Sequence, residues 1–288
     1  MRILHLDLGR EMRGGQWQAL RLVRGLRDRG HEALLLARAG QGEPFSFARL
    51  LSEYRRSDIV HAHDARSHSL AALFPGPPLV VARRVAFPVR RGLVSRWKYG
   101  RSAHFIAVSE FVKRRLVDAG VKQERISVVT DGIELNSEIV PPADPPRVVA
   151  VETADPMKGS ALAQEAAALA GVSLEFTRDP SRDLPGAAML IYISREEGLG
   201  SAALLAMAAG VPVVASRIGG LQEVVEDGVT GLLVENAASS IATGIKRLLD
   251  DSGEARRMGL AGRERVASSF TVEIMVEKTL AVYRKVLS

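Results

Sequence analysis

The 288-residue chain contains no cysteine, which excludes disulfides, thiolate nucleophiles and cysteine-ligated zinc and leaves nothing that demands an oxidising compartment. No apolar run approaches the ~18 residues of a membrane-crossing helix. Arg10, Glu11 and Arg13 cut the N-terminal apolar segment short of a signal peptide, so a cytoplasmic location is expected. Between Gly9 and Gly15 the Gly-x-Gly-x-x-Gly spacing of a dinucleotide site is missing, which disfavours an NAD enzyme. There is no internal repeat and no low-complexity tract beyond one proline-rich stretch. What remains is a globular chain whose 47% apolar residues suffice for two modest domains or one large one. Its formal charge of +6 and pI near 9.9 favour an anionic partner, whether nucleotide, nucleic acid or acidic membrane surface.

The most informative stretch runs from Ser194 to Val225. Met189 to Ile193, short and rich in β-branched and aromatic residues, reads as a buried strand ahead of it. Ser201 is a natural N-cap, Ala202 to Ala209 are good helix formers, and Gly210 with Pro212 is a stop signal. Val211 to Ala215 then reads as the next strand, which completes the βαβ unit of a parallel sheet. Ligands of such sheets sit outside the carboxyl ends of the strands, so the loop Arg195 to Gly200 lies at the ligand edge. Gly198 and Gly200 strip side chains from the entry to a helix, so N–H groups and the positive end of the helix dipole face outward as a phosphate site. Glu197 beside them suits hydroxyls carried by that phosphate, as in a sugar diphosphate. The same glycines would equally make a plain tight turn with Glu196 and Glu197 solvated.

Along the rest of the chain, Arg2 to Leu8 reads as a first strand, Gln16 to Arg29 as a helix with Trp17, Leu20, Val23 and Leu26 at helical spacing, and Ala33 to Ala37 as a second strand. His61 and His63 share one face of a strand, so a metal pair is conceivable, with Asp64 and His68 as its nearest further ligands. A polar pair satisfied at the strand end is the alternative. Arg83 to Arg101 holds seven basic residues and no acidic one, interleaved with Phe87, Trp97 and Tyr99. That pattern would suit an anionic lipid surface, a single-stranded nucleic acid, or a solvated face with Trp97 and Tyr99 packed inward. No recognisable nucleic-acid module accompanies it, so nucleic acid is not expected. Ser109 reads as the N-cap of a helix ending at Gly120, and Pro141 to Pro146 as a stiff linker between domains. Lys158 precedes an alanine-rich helix from Ser160 to Ala170, where a point charge beside N–H donors can hold a diphosphate without a metal. Leu248 to Ala267 and Val272 to Leu287 read as helices.

Three segments in order and spacing carry a resemblance: Glu197-Gly198-Leu199-Gly200, Ala206-Met207-Ala208-Ala209-Gly210-Val211-Pro212-Val213-Val214-Ala215, and Gly219-Gly220-Leu221-Gln222-Glu223-Val224-Val225. They resemble the donor-site signature of the family-4 retaining glycosyltransferases of the GT-B fold. Gly14-Gly15, the segment Asp58 to His63, Asp131-Gly132 and Lys158-Gly159 resemble further parts of that family. The resemblance implies an α/β GT-B protein of two Rossmann-like parallel-sheet domains with a cleft between them: residues 1–142 on the acceptor side, 146–270 for the nucleotide sugar and abridged by about one strand–helix pair, and a helix over 271–288 packing back on the first. It implies metal-free transfer of a hexose-type sugar with retention of configuration, from a nucleotide-diphosphate sugar that is a substrate rather than a cofactor. Glu197 and Lys158 would be the catalytic residues, with Gly14, Gly15, Gly198, Leu199, Gly200, Ser201 and Arg178 on the nucleotide sugar. His61, His63, Arg83, Arg84 and Ser109 would line the acceptor side, for a glycan or lipid-linked acceptor of the cell envelope, and Arg83 to Arg101 would rest on the inner face of the membrane. Two positions depart from the family. Glu152-Thr153-Ala154 stand where a Gly-Arg-Leu would supply a second phosphate cation, and Leu205 stands eight positions after Glu197, where a second glutamate would grip the ribose. These departures motivate the alternative of a non-catalytic relative acting as a binding or scaffold protein.

Overall fold

The computed structural model describes residues 1–86, 92–135, 138–153 and 159–288. Two compact units divide the chain: Met1–Gly132 with Val272–Ser288, and Ile133–Thr271. The division falls ahead of the proline-rich stretch, which belongs to the second unit: Ala143 donates its N–H to the Gly186 carbonyl (2.9 Å), and Ile139 and Val140 lie against Gly210 and Gly186.

The first unit is built on seven parallel strands in the order β3 (Glu43–Pro44), β2 (Glu32–Ala37), β1 (Arg2–Asp7), β4 (Ile59–Ala62), β5 (Leu79–Arg83), β6 (His104–Ala107) and β7 (Ile126–Val128). Chain order reverses between β1 and β4, and the crevice beyond the carboxyl ends of such neighbours is where open α/β sheets take ligands. Helix α1 (Gly14–Asp28) buries Leu20, Leu22, Val23 and Leu26, its turns spaced so that this stripe meets the sheet. Trp17 stays 43% exposed, off that stripe. Helix α12 (Val272–Leu287) lies beside α1, and a Cβ on Gly25 would come within 2.6 Å of Val276, so the close approach of the two helices needs that glycine. Met275, Val276, Leu280 and Tyr283 of α12 enter one core with Ile3, Leu22, Leu26 and Ile59, and each fully buried aliphatic contributes roughly 1.5–3 kcal/mol. The remaining helices of this unit are α2 (Phe47–Tyr54), α3 (Ala65–Ala71), α4 (Leu93–Gly100) and α5 (Glu110–Asp118).

The second unit holds five parallel strands in the order β12 (Gly231–Val234), β11 (Val213–Ser216), β10 (Met189–Tyr192), β8 (Val148–Val151) and β9 (Leu174–Thr177). Here the order reverses between β8 and β10. Helices α6 (Ser160–Ala170) and α10 (Ala238–Asp250) cover one face, around a core of Ala163, Ala166, Ile191, Val214 and Ile241. Helix α7 (Pro180–Asp183) follows β9, α8 (Ser201–Ala208) joins β10 to β11, and α9 (Leu221–Val224) follows β11. The charged helical stretch expected from Leu248 breaks at Asp251, whose carboxylate accepts the Glu254 N–H (2.8 Å) and starts α11 (Ser252–Ser269).

Candidate functional site

At the carboxyl end of β10 the chain turns through Ile193 to Gly200 into α8. Ser201 is the first helical residue and not the cap: Gly200 takes that place with φ +109°, a left-handed entry that a side chain would strain. A Cβ there would also lie 2.5 Å from Leu221. Gly220 donates its N–H to the Glu197 carbonyl (3.1 Å), and a Cβ on Gly220 would fall 2.0 Å from the Gly198 carbonyl oxygen. The Gly219-Gly220 turn and the Gly198–Gly200 loop are thus two halves of one contact, which explains why both glycine segments are needed. Leu199 is 2% exposed, so it offers the edge only its backbone. The first turn of α8 points N–H groups without intrahelical acceptors toward this edge.

Glu197 is half-buried, and its carboxylate accepts the hydroxyl of Tyr192 (2.8 Å), the last residue of β10. Burial and then the Glu197 charge hold the Tyr192 hydroxyl well above the usual tyrosine range, so it remains a donor at all ordinary pH. The sequence marks Tyr192 only as a strand residue; its place just ahead of the loop Arg195 to Gly200 is the signal that points to it. Behind the loop, Ser194 donates its N–H to the Ser216 hydroxyl (2.9 Å), that hydroxyl donates to Asn236 Oδ1 (2.5 Å), and Asn236 Nδ2 donates back to the Ser194 carbonyl (2.9 Å). Ser194 and Ser216 are fully buried, so this ring ties the ends of β10, β11 and β12 together below the loop. Beside them Gly159 opens α6 at φ +62°, and a Cβ on it would come within 2.6 Å of Ile193. Lys158 lies outside the described residues. Arg178, just past β9, makes a two-pronged bond to Glu152 beyond β8 (2.7 and 2.6 Å). The residue standing at the start of the family's Gly-Arg-Leu is thereby paired to a cation supplied by the neighbouring strand.

In the first unit, β1 and β4 bring three histidines together. Their register places His5 beside His61, and His63 follows one residue past β4. All three are buried, at 0%, 1% and 6% exposure, and one nitrogen of each lies within 4.8 Å of the others. His61 Nδ1 meets the Tyr283 hydroxyl of α12 (2.6 Å), and His63 Nε2 meets His5 Nδ1 (2.9 Å). Arg84 bonds the Asp131 carboxylate through Nε (3.0 Å) and reaches His63 Nδ1 through Nη1 (3.2 Å). An arginine only donates, so His63 Nδ1 accepts, Nε2 carries its proton, and His5 receives that proton's bond at Nδ1. Burial first, then neighbouring positive charges, lowers His5 to about 3 and holds His61 and His63 well below the usual histidine range. Asp7 closes the group, its carboxyl raised by burial and bonded by the Gly9 N–H (2.9 Å) and Gln16 (3.1 Å).

Only part of the expected acceptor side is brought together here. Arg84 stands beside His63, and Gly15 in the first turn of α1 packs on the Arg84 stem, where a Cβ would sit 3.7 Å from Cδ. Gly14 is the exposed first residue of that helix. His61 is too deep to touch an acceptor, and its expected place there is corrected to a packed, hydrogen-bonded one. Ser109 is also buried, its hydroxyl capping α5 through the Val112 N–H (3.1 Å). Arg83 points to the opposite face, as alternation along a strand requires, and its charge acts on His68, Lys98 and Tyr99. On that face Tyr99 stacks on Phe105 (5.2 Å between rings) while Trp97 stays outside, so the two aromatics of the basic stretch part company. Leu93, Val94 and Trp97 are 83%, 78% and 47% exposed on α4, which buries none of its residues, and Arg96 stands among them. Phe87, Arg90 and Arg91 lie outside the described residues.

Residues 42–137 match Glycosyltransferase Family 4, and residues 177–265 match Glycosyl transferases group 1. The chain belongs with the family-4-like glycosyltransferases of the GT-B fold. It is 42% identical over 110 residues to the alpha-maltose-1-phosphate synthase of Mycolicibacterium smegmatis, a match covering 36% of this chain and 28% of that protein's length. Solved structures that share its fold include Anabaena HepE in complex with UDP and glucose, with a TM-score of 0.84 at 18% identity over 99% of both chains, and a glycosyltransferase from Rickettsia africae, with a TM-score of 0.81 at 18% identity over 100% of this chain and 99% of that one.

Proposed function

We propose that the chain transfers a hexose-type sugar from a nucleoside diphosphate sugar to a glycan or lipid-linked acceptor of the cell envelope, with retention of configuration. The observation that carries the reading is the loop Glu197 to Gly200, pinned by Gly220 at the point where the second sheet reverses its strand order. The alpha-maltose-1-phosphate synthase match and the UDP and glucose of the HepE structure support a sugar nucleotide as the ligand of that edge. As the bond from the sugar carbon to the diphosphate breaks, charge grows on the leaving phosphate, and the backbone N–H groups of residues 198–201 with Lys158 take it without a metal or cofactor. The acceptor oxygen bonds to the same carbon on the same face, and the leaving phosphate receives the acceptor's proton. Glu197, fixed by Tyr192, accepts from the sugar hydroxyls. Arg178 lies toward the base, and His63 and Arg84 belong to the acceptor edge.

Among the described residues no helix is long and apolar enough to cross a membrane. The exposed Leu93, Val94 and Trp97 beside Arg96 support a cytoplasmic protein resting on an anionic membrane surface. Calorimetry with UDP-, GDP-, ADP- and CMP-sugars in EDTA tests the donor reading: one sugar nucleotide should bind, and loss of binding with EDTA or indifference to all four overturns it. Departures at Thr153 and Leu205 favour the second reading, a binding protein that holds a sugar nucleotide and turns none over. Binding with no donor hydrolysis and no transfer would select it.

A further inference from the structure

We propose that His5, His61 and His63 hold a structural zinc ion inside the first unit, clipping β1 to β4 and, through Tyr283, to α12. The donor set fits such an ion. Three neutral imidazoles are ligands that zinc accepts, and none of the three candidate residues is a thiolate or a carboxylate. The three candidate nitrogens already lie within 4.8 Å of one another, on neighbouring parallel strands whose register fixes their spacing. His61 Nε2 is buried with no partner among the described residues, and His5 Nδ1 faces His63 Nε2 at 2.9 Å, close enough for one ion to take both. A buried lone pair left unmade costs about 1–3 kcal/mol, so a core that keeps one open beside that pair invites a ligand for it. The outer shell is also in place for one ligand: the Tyr283 hydroxyl 2.6 Å from His61 Nδ1 fixes that ring's orientation and leaves Nε2 to the metal.

Arg84 sets the condition on this site. Its guanidinium donates to His63 Nδ1, which places the His63 proton on Nε2. To ligate through Nε2, His63 moves that proton to Nδ1, and Arg84 turns from it while keeping Asp131. Metal and guanidinium therefore oppose each other, through this contact and through like charge at short range. The opposition gives the proposal a signature that a simple packed histidine cluster would lack, because removing the cation should improve metal binding.

The test uses the whole chain, stripped with EDTA and titrated with Zn²⁺ or with Co²⁺ as a coloured reporter. One equivalent should bind, raise the thermal midpoint, and with cobalt give the intense visible bands of a four-coordinate site. Arg84→Met should bind zinc at least about tenfold more tightly. Tyr283→Phe, which keeps all three ligands and the packing, should weaken it about 10–100-fold. His5→Gln should abolish the bands, while His31→Gln, outside the cluster, should leave them unchanged. No cobalt bands and no thermal shift, or binding that survives His5→Gln, overturns the site. Neither outcome bears on sugar-nucleotide binding by the second unit, which calorimetry in EDTA reads separately.

Discussion

At the carboxyl edge of the first sheet, β1 and β4 end in His5, Asp7, His61 and His63, all 6% exposed or less, whereas at the matching edge of the second sheet β8 and β10 give way to Gly159, Gly198 and Gly200. Both edges are points of strand-order reversal, and both follow the same rule for where ligands bind. One edge is filled by side chains that hydrogen-bond one another; the other is a glycine loop held in place by close backbone contacts, Gly220 on Glu197 and Gly198. An edge made of side chains carries its chemistry in groups that titrate. An edge made of backbone carries it in geometry, which pH does not touch and one methyl group can destroy.

The sharpest break between the two is acid. All six histidines belong to the first unit, and the second has none. His5 and His68 are lowered to about 3 and His104 to about 4, with burial the first cause in each. Because these folded values lie below the ordinary 6.5, the unfolded chain takes up protons first as pH falls. Their contribution is fully present above pH 6.5 and is lost on descent toward the folded values, at about 2 kcal/mol for each fully buried histidine by pH 5. Amide exchange, corrected for intrinsic rates, should therefore rise in β1 and β4 between pH 7 and pH 5 and stay level in β10 and β11. Equal change in both sheets would erase the contrast.

The converse break is Gly220→Ala. Its φ of −70° suits any residue, so the whole penalty comes from a methyl placed 2.0 Å from the Gly198 carbonyl oxygen. Backbone lies on both sides, and the loop must move, at a cost of about 1–3 kcal/mol or more to the second unit. Sugar-nucleotide binding should vanish in calorimetry while exchange in β1 and β4 is unaltered. A variant that binds like the parent would show that the loop's position does not matter to the ligand.

Lys158→Ala sharpens the comparison by asking how much a side chain adds to a backbone site. Nucleoside diphosphate binding should weaken by about 1.5–3 kcal/mol, the range for a charged hydrogen bond. Equal affinity in the variant would leave the diphosphate to the N–H groups alone. The smallest effect expected is a gain: Leu205, half-buried on α8, replaced by glutamate should tighten the same binding by up to about 1.5–3 kcal/mol. If the new carboxylate is sealed in, the midpoint falls instead. A stable Leu205→Glu protein with unchanged affinity would mean that no ribose lies over this helix.

Much of the architecture is legible in the sequence because its causes are local. The 3.6-residue spacing of Leu20, Val23 and Leu26, the serine that caps α5, the alanine-rich run of α6 and the stop at Gly210 each act within one or two turns of chain. The same holds for the strand, glycine loop and helix that follow one another at the carboxyl edge of the second sheet. Local signals fail where two candidates compete, as when Gly200 rather than Ser201 begins α8 because only the glycine tolerates the left-handed entry beside Leu221.

What the tertiary structure alone decided are the pairings between distant residues. Gly220 needs to be a glycine because of Gly198, and Tyr192 acquires a purpose only when the loop folds its glutamate back onto it. His61 and His63 are a pair on paper, and His5 joins them only because parallel register sets β1 against β4. Tyr283 then arrives from the far end of the chain, 222 residues from His61. No periodicity encodes such contacts, because neighbouring strands of a parallel sheet are joined by a crossover, and the register that places side chain against side chain is fixed by packing of the whole core.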